Sequence, residues 1–415
     1  PIKNLIKFDF KKIDILILSP GIPLNFPAPH PVVKKAISAK CKIINEMDLL
    51  GENNQGSQFI GITGTNGKST VTALLGKIFS NSRLNIQIGG NIGYPSLGLR
   101  KLGKNGVYIL EVSSYQLELL SSIKFDIAIL INISPDHISR HGSFRNYIKI
   151  KESIFKNQKD QDLAIIGIDD KFSYEIYKRL KKKKRQKVIP VSKNKKIPGG
   201  VYSSKGWLIN DVNLKKEKII KIQRLKNITG SHNVQNVAAA LAASWSSGIN
   251  KKAILSSILK FKTLLHRQEI ILEKNGITFI NDSKATNIDS AVKALENYKN
   301  IFWIAGGQSK NENFRKIIPF LKNVKHAFFL GETSNQLHAL LGKRLESIES
   351  DNLKKATAQA YNMAQEFLKD NKEKQASVLL SPACASLDQW KDFEERGDAF
   401  KRIVKKLLKQ SKFDK

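Results

Sequence analysis

The chain has 415 residues, which is too long for a single hydrophobic core and predicts two or three domains. Hydrophobic residues make up 41% of it, and two cysteines far apart in sequence, Cys41 and Cys384, exclude a disulfide scaffold. The net charge is +34, but only 12 of the 70 basic residues are arginine and the lysines are spread along the chain, unlike the arginine-rich faces of nucleic-acid readers.

The sequence shows no signal peptide and no apolar run of transmembrane length. We therefore expect a cytoplasmic protein with no membrane partner. The densest basic run, KRLKKKKRQK (178–187), contains no aromatic residue and is interpreted as a solvated loop or helix end. We expect no nucleic-acid partner, and we expect a monomer.

Residues 1–52 predict a short strand in IDILILSPGI, and then a second strand and its exit in CKIINEMDLL. Residues 53–262 open with QFIGITGTNGKSTVTALLGKIFS, which predicts a strand, a glycine-rich turn and a helix. Apolar strands follow at GVYILEVSS, FDIAILINIS and DLAIIGIDD, mostly separated by helical patterns, which is typical of a parallel α/β sheet. A β-rich patch, PGGVYSSKGWLIN, then precedes a long helix that begins near SHNVQNVAAALAASW.

Residues 263–415 predict a second, separate α/β domain. QEIILEKNGITFIND places two strands around an Asn-Gly pair, which is typical of a tight hairpin. Strands at IFWIAGG, HAFFLGE and SVLLSPA alternate with helices, and an amphipathic helix ends the chain. The predicted fold class is therefore α/β, with domains at 1–52, 53–262 and 263–415.

The segment GITGTNGKST (61–70) looks like a phosphate-binding loop, but the usual G-x-x-x-x-G-K-[ST] spacing requires glycine where Ile62 stands. It nevertheless lies between a predicted strand and a predicted helix, where backbone N–H groups can face an anion. Lys68 can reach the outer phosphates of a nucleotide, and the hydroxyl of Ser69 or Thr70 can bind Mg²⁺. The alternative, a glycine-rich turn with a surface lysine, is disfavoured by this strand–loop–helix context.

The string TGTNGKST resembles the ATP loop of the Mur ligases and of the folylpolyglutamate synthases, which form amides at the expense of ATP. The resemblance implies the three-domain Mur ligase architecture: a uridine-binding α/β domain, a central P-loop ATPase-like parallel sheet domain, and a C-terminal Rossmann-like domain. Only about the second half of the uridine-binding domain is matched, with Gly21 as its one substrate contact, so we expect a truncated chain or weak uridine binding. The implied ATP-binding loop residues are Gly64, Thr65, Asn66, Gly67, Lys68, Ser69 and Thr70.

Four further strings resemble the same family in the same order. GGNIG (89–93) places Asn91 near the reacting groups, and LEVSSYQLE (110–118) places Glu111 at a strand end, where open α/β sheets bind ligands. NISPDHISRH (132–141) supplies His137, and NYIKIKES (146–153) aligns Lys151 with a lysine that is carbamylated in most Mur ligases. Taken alone, such a glutamate or histidine is more often structural. The resemblance implies two Mg²⁺ ions, with the ligands Ser69, Glu111, His137 and carbamylated Lys151.

GSHNVQNVAAALA (230–242) sets Asn233 and Asn236 one helical turn apart, and the resemblance implies that both meet adenine. An asparagine near a helix start is also a routine cap. LHRQ supplies Arg267, which the resemblance places at the γ-phosphate of ATP. The implied catalytic residues are Lys68, Glu111, His137, Lys151 and Arg267.

NDSKATNIDS (281–290) resembles the Mur ligases that add D-glutamate, which implies that Asp282 and Lys284 face ATP and that Thr286 faces the amino acid. GGQSKNENF (306–314) supplies Lys310 as a cation for a D-glutamate carboxylate. Cys384 has no paired histidine in a local signature, so we predict a small buried residue and no nucleophile. The string LLSPACASLDQWKDFEERG (379–397) implies three more substrate contacts, Ser386, Leu387 and Phe393.

The resemblance implies that ATP, UDP-N-acetylmuramoyl-L-alanine and D-glutamate react to an amide, ADP and phosphate, as in cytoplasmic peptidoglycan precursor synthesis. The alanyl carboxylate is expected to become an acyl phosphate, which the amine of D-glutamate attacks. One alternative is a sister amide ligase, another Mur ligase or a folylpolyglutamate synthase, against which NDSKATN and SPACASLDQW speak. The other is a nucleic-acid-dependent P-loop ATPase, which requires a clustered arginine-rich face and a conventional loop.

Overall fold

The computed structural model describes residues 9–225, 231–261, 265–309, 313–370 and 375–410. The chain divides into two compact units, Pro1–Lys262 and Thr263–Lys415. The predicted division at residue 52 falls inside the first unit and stays a prediction. None of the helices in these ranges is both long enough and apolar enough to cross a membrane.

The first unit begins with a small two-stranded parallel sheet and two helices. Its elements are β1 (Ile15–Ile17), α1 (Pro31–Ser38), β2 (Lys42–Ile44) and α2 (Glu46–Asn53). Helix α2 occupies the segment where the sequence predicted only the exit of a strand. A capping box explains its start, because the Asp48 carboxylate accepts the backbone N–H of Asn45 at 3.3 Å and Asn45 caps the first turn in return.

Within the described residues of the first unit, a nine-stranded sheet forms the centre. Its strands are β3 (Gln58–Thr63), β4 (Ile86–Gly90), β5 (Val107–Glu111), β6 (Ile127–Leu130), β7 (Leu163–Gly167), β8 (Lys187–Ser192), β9 (Val201–Ser204), β10 (Trp207–Asn210) and β11 (Glu217–Lys221). The order across the sheet is β11-β10-β9-β8-β7-β6-β3-β5-β4. Pairing is parallel from β4 to β9, which confirms the predicted parallel sheet, and β10 and β11 extend it as an antiparallel arm.

Helices cover both faces of this sheet. They are α3 (Lys68–Asn81), α4 (Ser114–Leu119), α5 (Ile138–His141), α6 (Phe144–Glu152), α7 (Lys171–Lys183), α8 (Ser231–Ser246) and α9 (Lys251–Leu259). Helix α7 contains most of the basic run 178–187, and the lysines of that run are exposed, which confirms its interpretation as a solvated helix end.

Successive side chains of β3 point to opposite faces of the sheet and so contribute to both halves of the core. Ile60 and Ile62 pack with α3, α8 and α9 on one face, whereas Phe59 packs with α2 and α7 on the other. Gly61 lies between them, and a Cβ on it would come within 2.6 Å of the Phe125 ring. This glycine is therefore required by packing within the strand, and the phosphate-type loop begins only after it.

The second unit contains a six-stranded sheet within the described ranges. Its elements are β12 (Glu269–Lys274), β13 (Ile277–Asn281), α10 (Ile288–Asn297), β14 (Ile301–Gly306), β15 (Val324–Leu330), α11 (Ser334–Leu341), β16 (Ser347–Glu349), α12 (Leu353–Asp370), β17 (Ala376–Leu380) and α13 (Phe393–Gln410). The strand order is β12-β13-β17-β14-β15-β16, parallel except for the β12–β13 hairpin. Asn275 and Gly276 turn that hairpin with φ of 50° and 78°, which confirms the predicted tight turn.

Strand order decides where a ligand can bind in the central sheet. Strands β3 and β6 are neighbours, but the chain leaves β3 toward β4 on one side and leaves β6 toward β7 on the other. Open α/β sheets bind ligands at such a switch point, outside the carboxyl ends of the strands. The expected ligand site is therefore formed by the loops that follow β3, β5 and β6.

Candidate active site

The loop after β3 ends at Gly67, which precedes helix α3 with a φ of 90°. An L-residue rarely adopts this conformation, and a Cβ at this position would lie 2.4 Å from Oδ1 of Asn236. No side chain in the described part of the chain caps α3, so the N–H groups of its first turn point out of the helix end. The loop thus has the form of an anion cradle at a helix N-terminus.

Asn132, from the loop after β6, braces this cradle. Its side chain accepts the backbone N–H of Asn66 at 2.9 Å and donates to the carbonyl of Asn66 at 3.1 Å. The hydroxyl of Thr65 also lies 3.1 Å from the carbonyl oxygen of Ser134 and 3.0 Å from the hydroxyl of Tyr147. Asn132 opens the string NISPDHISRH and Tyr147 lies in NYIKIKES, but sequence reasoning assigned no role to either residue.

Lys68 begins α3, and its ammonium group turns back over the loop. It donates to the carbonyls of Gly64 and Thr65, both at 2.9 Å. The next two residues, Ser69 and Thr70, are buried in the first turn of the helix. Residues 64–70, predicted to bind ATP, therefore form one continuous turn and helix start.

Lys151 is brought under the same loop by helix α6. Its side chain is 1% exposed, and its Nζ donates to Oγ1 of Thr63 at 2.9 Å and to the carbonyl of Gly64 at 3.1 Å. Burial, and then the positive charge of Lys68, hold the pKa of Lys151 well below its ordinary value, whereas nearby Asp136 and Glu111 raise it. A lysine in such surroundings loses its proton at a lower pH than a surface lysine, so its neutral amine forms more readily.

Glu111 ends β5 and is 2% exposed. One carboxylate oxygen accepts the side-chain amide of Asn91 at 2.9 Å, whereas Oε2 is buried and accepts no hydrogen bond from any described residue. A buried carboxylate oxygen without a hydrogen bond is unusual and lowers the stability of the fold. It is also the type of ligand that a hard divalent cation prefers, so the residues present fit the predicted Mg²⁺.

His137 lies in the loop after β6 and takes a left-handed φ of 52° as it precedes α5. Its side chain is 38% exposed, with Nε2 3.5 Å from Asp136 and Nδ1 3.2 Å from the hydroxyl of Tyr115. No three His, Cys, Asp or Glu side chains of the described chain cluster as a metal site. The predicted metal set therefore depends on the hydroxyl of Ser69 and a modified Lys151 as well.

His141, which sequence reasoning did not single out, is buried beside this loop and contacts the hydroxyl of Ser114 at 3.0 Å. Burial, followed by the charges of Arg140, His137 and Lys151, lowers the pKa of His141 to about 4. The ring is therefore neutral at physiological pH and adds no positive charge beside Lys151.

The predicted substrate contact Gly21 is exposed in the loop after β1. Its neighbour Ile22 accepts a hydrogen bond from Arg140 at 3.4 Å, and Arg140 forms a buried ion pair with Glu118 at 2.6 Å. The side chain of Asn25 reaches the same glutamate at 3.3 Å. The loop of Gly21 is thus tied to the loop that carries His137.

The two predicted adenine contacts lie on α8. The amide of Asn236 donates to Oδ1 of Asn233 at 2.8 Å, and the Asn236 side chain lies against Gly67 of the loop. Asn236 therefore adjoins the phosphate-type loop and Asn233 is hydrogen-bonded to Asn236, while their contact with adenine stays a prediction.

In the second unit, Arg267 lies between two residues of left-handed φ, His266 at 60° and Gln268 at 46°. Asp282 follows β13 and holds this segment, since its carboxylate accepts the backbone N–H of Gln268 at 3.1 Å and the hydroxyl of Ser381 at 2.8 Å. Burial raises the pKa of Asp282 to about 7, although the Ser381 hydrogen bond and Arg267 act in the opposite direction.

The remaining predicted residues that the structure describes follow the carboxyl ends of β13 and β17 in the chain. Nζ of Lys284 lies 5.2 Å from the ring centre of Phe393, and Thr286 follows on the same loop. Ser386 is buried, Leu387 is 63% exposed, and Lys310 lies outside the described residues. Cys384 is buried, as predicted, with its Sγ 3.4 Å from the hydroxyl of Thr333.

Family comparisons match both units. The model of the Mur ligase middle domain matches residues 62–244, and that of the Mur ligase glutamate ligase domain matches residues 266–384. The chain belongs to the Mur ligase family. This confirms the resemblance that was based on the phosphate-type loop and its companion motifs, and it places the central sheet and most of the second unit in known Mur ligase domains.

Individual relatives agree over nearly the full length. The chain is 38% identical to the UDP-N-acetylmuramoylalanine–D-glutamate ligase of Phenylobacterium zucineum over 97% of this chain and 86% of the relative. It is 40% identical to the ligase of the same name from Rhodospirillum rubrum, over 94% and 81%. Among solved structures, the MurF ligase of Thermotoga maritima in complex with ADP matches with a TM-score of 0.58 and 15% identity, over 96% of this chain and 99% of that one. That similarity concerns the fold alone.

Proposed function

We propose that this protein is the ATP-dependent ligase that adds D-glutamate to UDP-N-acetylmuramoyl-L-alanine in peptidoglycan precursor synthesis. Relatives that carry this name match the chain at 38–40% identity over most of their length. The structural observation that best supports the reaction is the grouping of a phosphate-type loop with the buried side chains of Glu111 and Lys151. The expected reaction gives the D-glutamyl product, ADP and phosphate, and the alternative ligases and ATPases are not favoured.

Activation by ATP is the chemical core of the proposal. An amine does not displace oxide from a carboxylate, so the alanyl carboxylate first attacks the γ-phosphorus and ADP leaves. The amine of D-glutamate then attacks the acyl phosphate, and phosphate departs from the tetrahedral intermediate as the amide forms. In such a reaction the protein mainly positions the reactants and stabilises developing negative charge.

The residues of the first unit suit the first step. The N–H groups at the start of α3 and the ammonium of Lys68 are suited to hold the phosphates, and Asn233 and Asn236 to meet adenine. Two Mg²⁺ ions, when bound, neutralise charge on the phosphate oxygens. The residues that we propose for them are Ser69, Glu111, His137 and Lys151, the last as a carbamate. Asn91 orients the carboxylate of Glu111 through its hydrogen bond.

The residues of the second unit suit the amino acid. We propose that Thr286, Lys310, Ser386, Leu387 and Phe393 form the D-glutamate site, because two carboxylates require cations and hydroxyl donors. The roles of Arg267 at the γ-phosphate and of Asp282 and Lys284 at the nucleotide stay predictions, as does that of Gly21 at the uridine substrate. We also propose a cytoplasmic monomer that binds neither membrane nor nucleic acid.

A phosphate-release assay tests the function. The protein is supplied with ATP, Mg²⁺ and UDP-N-acetylmuramoyl-L-alanine, together with a panel of D- and L-amino acids. We expect D-glutamate to stimulate phosphate release far more than L-glutamate or any diamino acid. Stimulation by a different amino acid would assign the chain to another branch of the family, and release that requires nucleic acid would refute the ligase function.

A further inference from the structure

Arg396, near the start of α13, is a buried charge that lies within the string 379–397 but has no role assigned by the sequence motifs or by the proposed mechanism. Its side chain is 1% exposed. The guanidinium donates to the hydroxyl and carbonyl of Ser283, both at 3.0 Å, and to the carbonyls of Cys384 and Ala385, both at 3.2 Å. Four of its five N–H groups are thus occupied by the loops that follow β13 and β17.

These two loops carry the proposed D-glutamate contacts. Thr286 lies three residues after Ser283, and Ser386 directly follows Ala385. The hydroxyl of Ser283 also donates to the carbonyl of Phe393 at 2.8 Å, which joins a third proposed contact to the same group. Arg396 therefore fixes the spacing of the loops on either side of the proposed amino-acid site.

Among the described residues, the charge of Arg396 has no carboxylate within ion-pair distance. Its hydrogen bonds all go to uncharged oxygens, and it forms no ion pair with any acid in the described part of the chain. Cys384 and then Asp388 act on the guanidinium through space, but the Oδ2 of Asp388 accepts the backbone N–H of Glu332 at 3.1 Å. A buried charge without a counter-charge is costly and is seldom retained for stability alone.

We propose that Arg396 is a specificity-determining residue of the D-glutamate site. It positions the loops of Thr286 and Ser386, and its unbalanced positive charge behind them favours an amino acid whose side chain is a carboxylate. The inference rests on the proposed function and adds a second cation to Lys310. It acts through the loops and the local field, since the backbone carbonyls of Cys384 and Ala385 stand between it and the site.

The test compares D-glutamate with D-glutamine, which has nearly the same shape but no second negative charge. D-glutamine is measured as a substrate or, where it does not turn over, as a competitive inhibitor. In Arg396→Met we expect the preference for D-glutamate to fall by roughly tenfold, because a nearby buried charge is lost. Arg396→Lys keeps the charge and should keep most of the preference. Arg402→Met, an exposed arginine on the same helix, is the matched control and should behave as wild type.

A second pair of variants leaves Arg396 in place. Cys384→Asp puts a carboxylate beside the guanidinium, whereas Cys384→Ser is the uncharged control. We expect only the aspartate variant to lose preference for D-glutamate, with the Michaelis constant for ATP unchanged in both. This pair keeps the test decisive where Arg396→Met fails to fold.

The outcomes separate the two proposals. A wild-type protein that releases no phosphate with D-glutamate refutes the proposed function. A wild-type protein that is active, while Arg396→Met and Cys384→Asp slow the reaction equally with both amino acids, refutes the inference alone and leaves Arg396 as a purely structural brace.

Discussion

The carboxyl edge of the central sheet and that of the second sheet both contain a buried cation, but the two cations are held differently. Lys151 makes two hydrogen bonds, lies close to a second lysine and has nearby the carboxylate of Glu111, of which one oxygen accepts no hydrogen bond from a described residue. Arg396 is surrounded by four backbone and hydroxyl acceptors. At the edge of the central sheet, charged groups can still form further bonds. At the edge of the second sheet, the hydrogen bonds of the charged group hold two loops in place.

The difference has a chemical reason. Binding of phosphate and metal ions requires groups that can still form bonds when the ligand arrives. Perturbed pKa values are frequent at such sites. Recognition of an amino acid instead needs fixed distances between several donors, which a rigid guanidinium fork can provide. We therefore expect substitutions at the two edges to have separable effects.

The largest effect is expected at Lys151. Lys151→Ala should lower kcat by about a hundred- to a thousandfold, because a proposed metal ligand is removed from the site where charge develops. Short-chain carboxylates added to the assay should restore part of the activity by occupying the position of the carbamate. Lys149→Ala, an exposed lysine on the same helix, is the control and should be nearly silent. Wild-type turnover in Lys151→Ala, or an unmodified amine in the ordered Mg²⁺-loaded site, would contradict the assignment.

A smaller effect is expected at Lys310. A hydrogen bond to a charged group is worth about 1.5–3 kcal/mol, so Lys310→Ala should raise the Michaelis constant for D-glutamate by roughly ten- to a hundredfold. The constant for ATP should barely change. Lys316→Ala, at an exposed position nearby in the chain, is the matched control. An ATP constant that rises as much as that for D-glutamate would show that Lys310 serves the nucleotide instead.

Gly67 tests the loop of the first edge. Gly67→Ala should weaken ATP binding by about tenfold, because a left-handed L-residue costs about 1–2 kcal/mol and its Cβ would displace Asn236. Gly98→Ala is the control, since its Cβ would meet open space and its φ is not left-handed. Equilibrium ATP binding measures both variants. Equal affinity in the two would mean that the loop conformation is not what binds the phosphates.

The smallest effect concerns stability at the second edge. The pKa of Asp282 is raised from 3.8 to about 7, so between these values the folded protein holds a proton that the unfolded chain releases. Stability is therefore lost as the pH rises toward 7. From pH 6 to pH 7 the wild type should lose on the order of 1 kcal/mol more than Asp282→Asn. Denaturant unfolding at both pH values measures this, and a difference that does not change with pH would place the pKa of Asp282 near its ordinary value.

Much of the fold followed from local patterns. Apolar strands separated by helical segments predicted both sheets, and the Asn-Gly pair predicted the β12–β13 hairpin. Helix α2 was missed because its start depends on a capping box between Asn45 and Asp48 in a segment that otherwise continues an apolar strand. The antiparallel arm beyond β9 was visible only as a β-rich patch, since its pairing depends on where the parallel sheet ends.

The candidate site was predictable where a motif carries it and not where tertiary contacts create it. The strand–loop–helix context identified residues 64–70, but the bracing of Asn66 by Asn132 joins segments that are 66 residues apart. Gly61 looked like part of the loop, and only the ring of Phe125 shows that it serves packing. Arg396 lies in the string LLSPACASLDQWKDFEERG but received no role, because the sequence does not show which of the 70 basic residues are buried.

The most direct test of the proposed chemistry follows the oxygen atoms of the alanyl carboxylate. If that carboxylate attacks the γ-phosphorus and phosphate later leaves from the acyl carbon, one carboxylate oxygen must be carried into the phosphate. UDP-N-acetylmuramoyl-L-alanine labelled with ¹⁸O in the alanyl carboxylate is therefore incubated with ATP, Mg²⁺ and D-glutamate, and the released phosphate is examined by mass spectrometry. We predict one ¹⁸O atom in each phosphate formed with the amide. Unlabelled phosphate, released at the same rate as product, would contradict activation through an acyl phosphate.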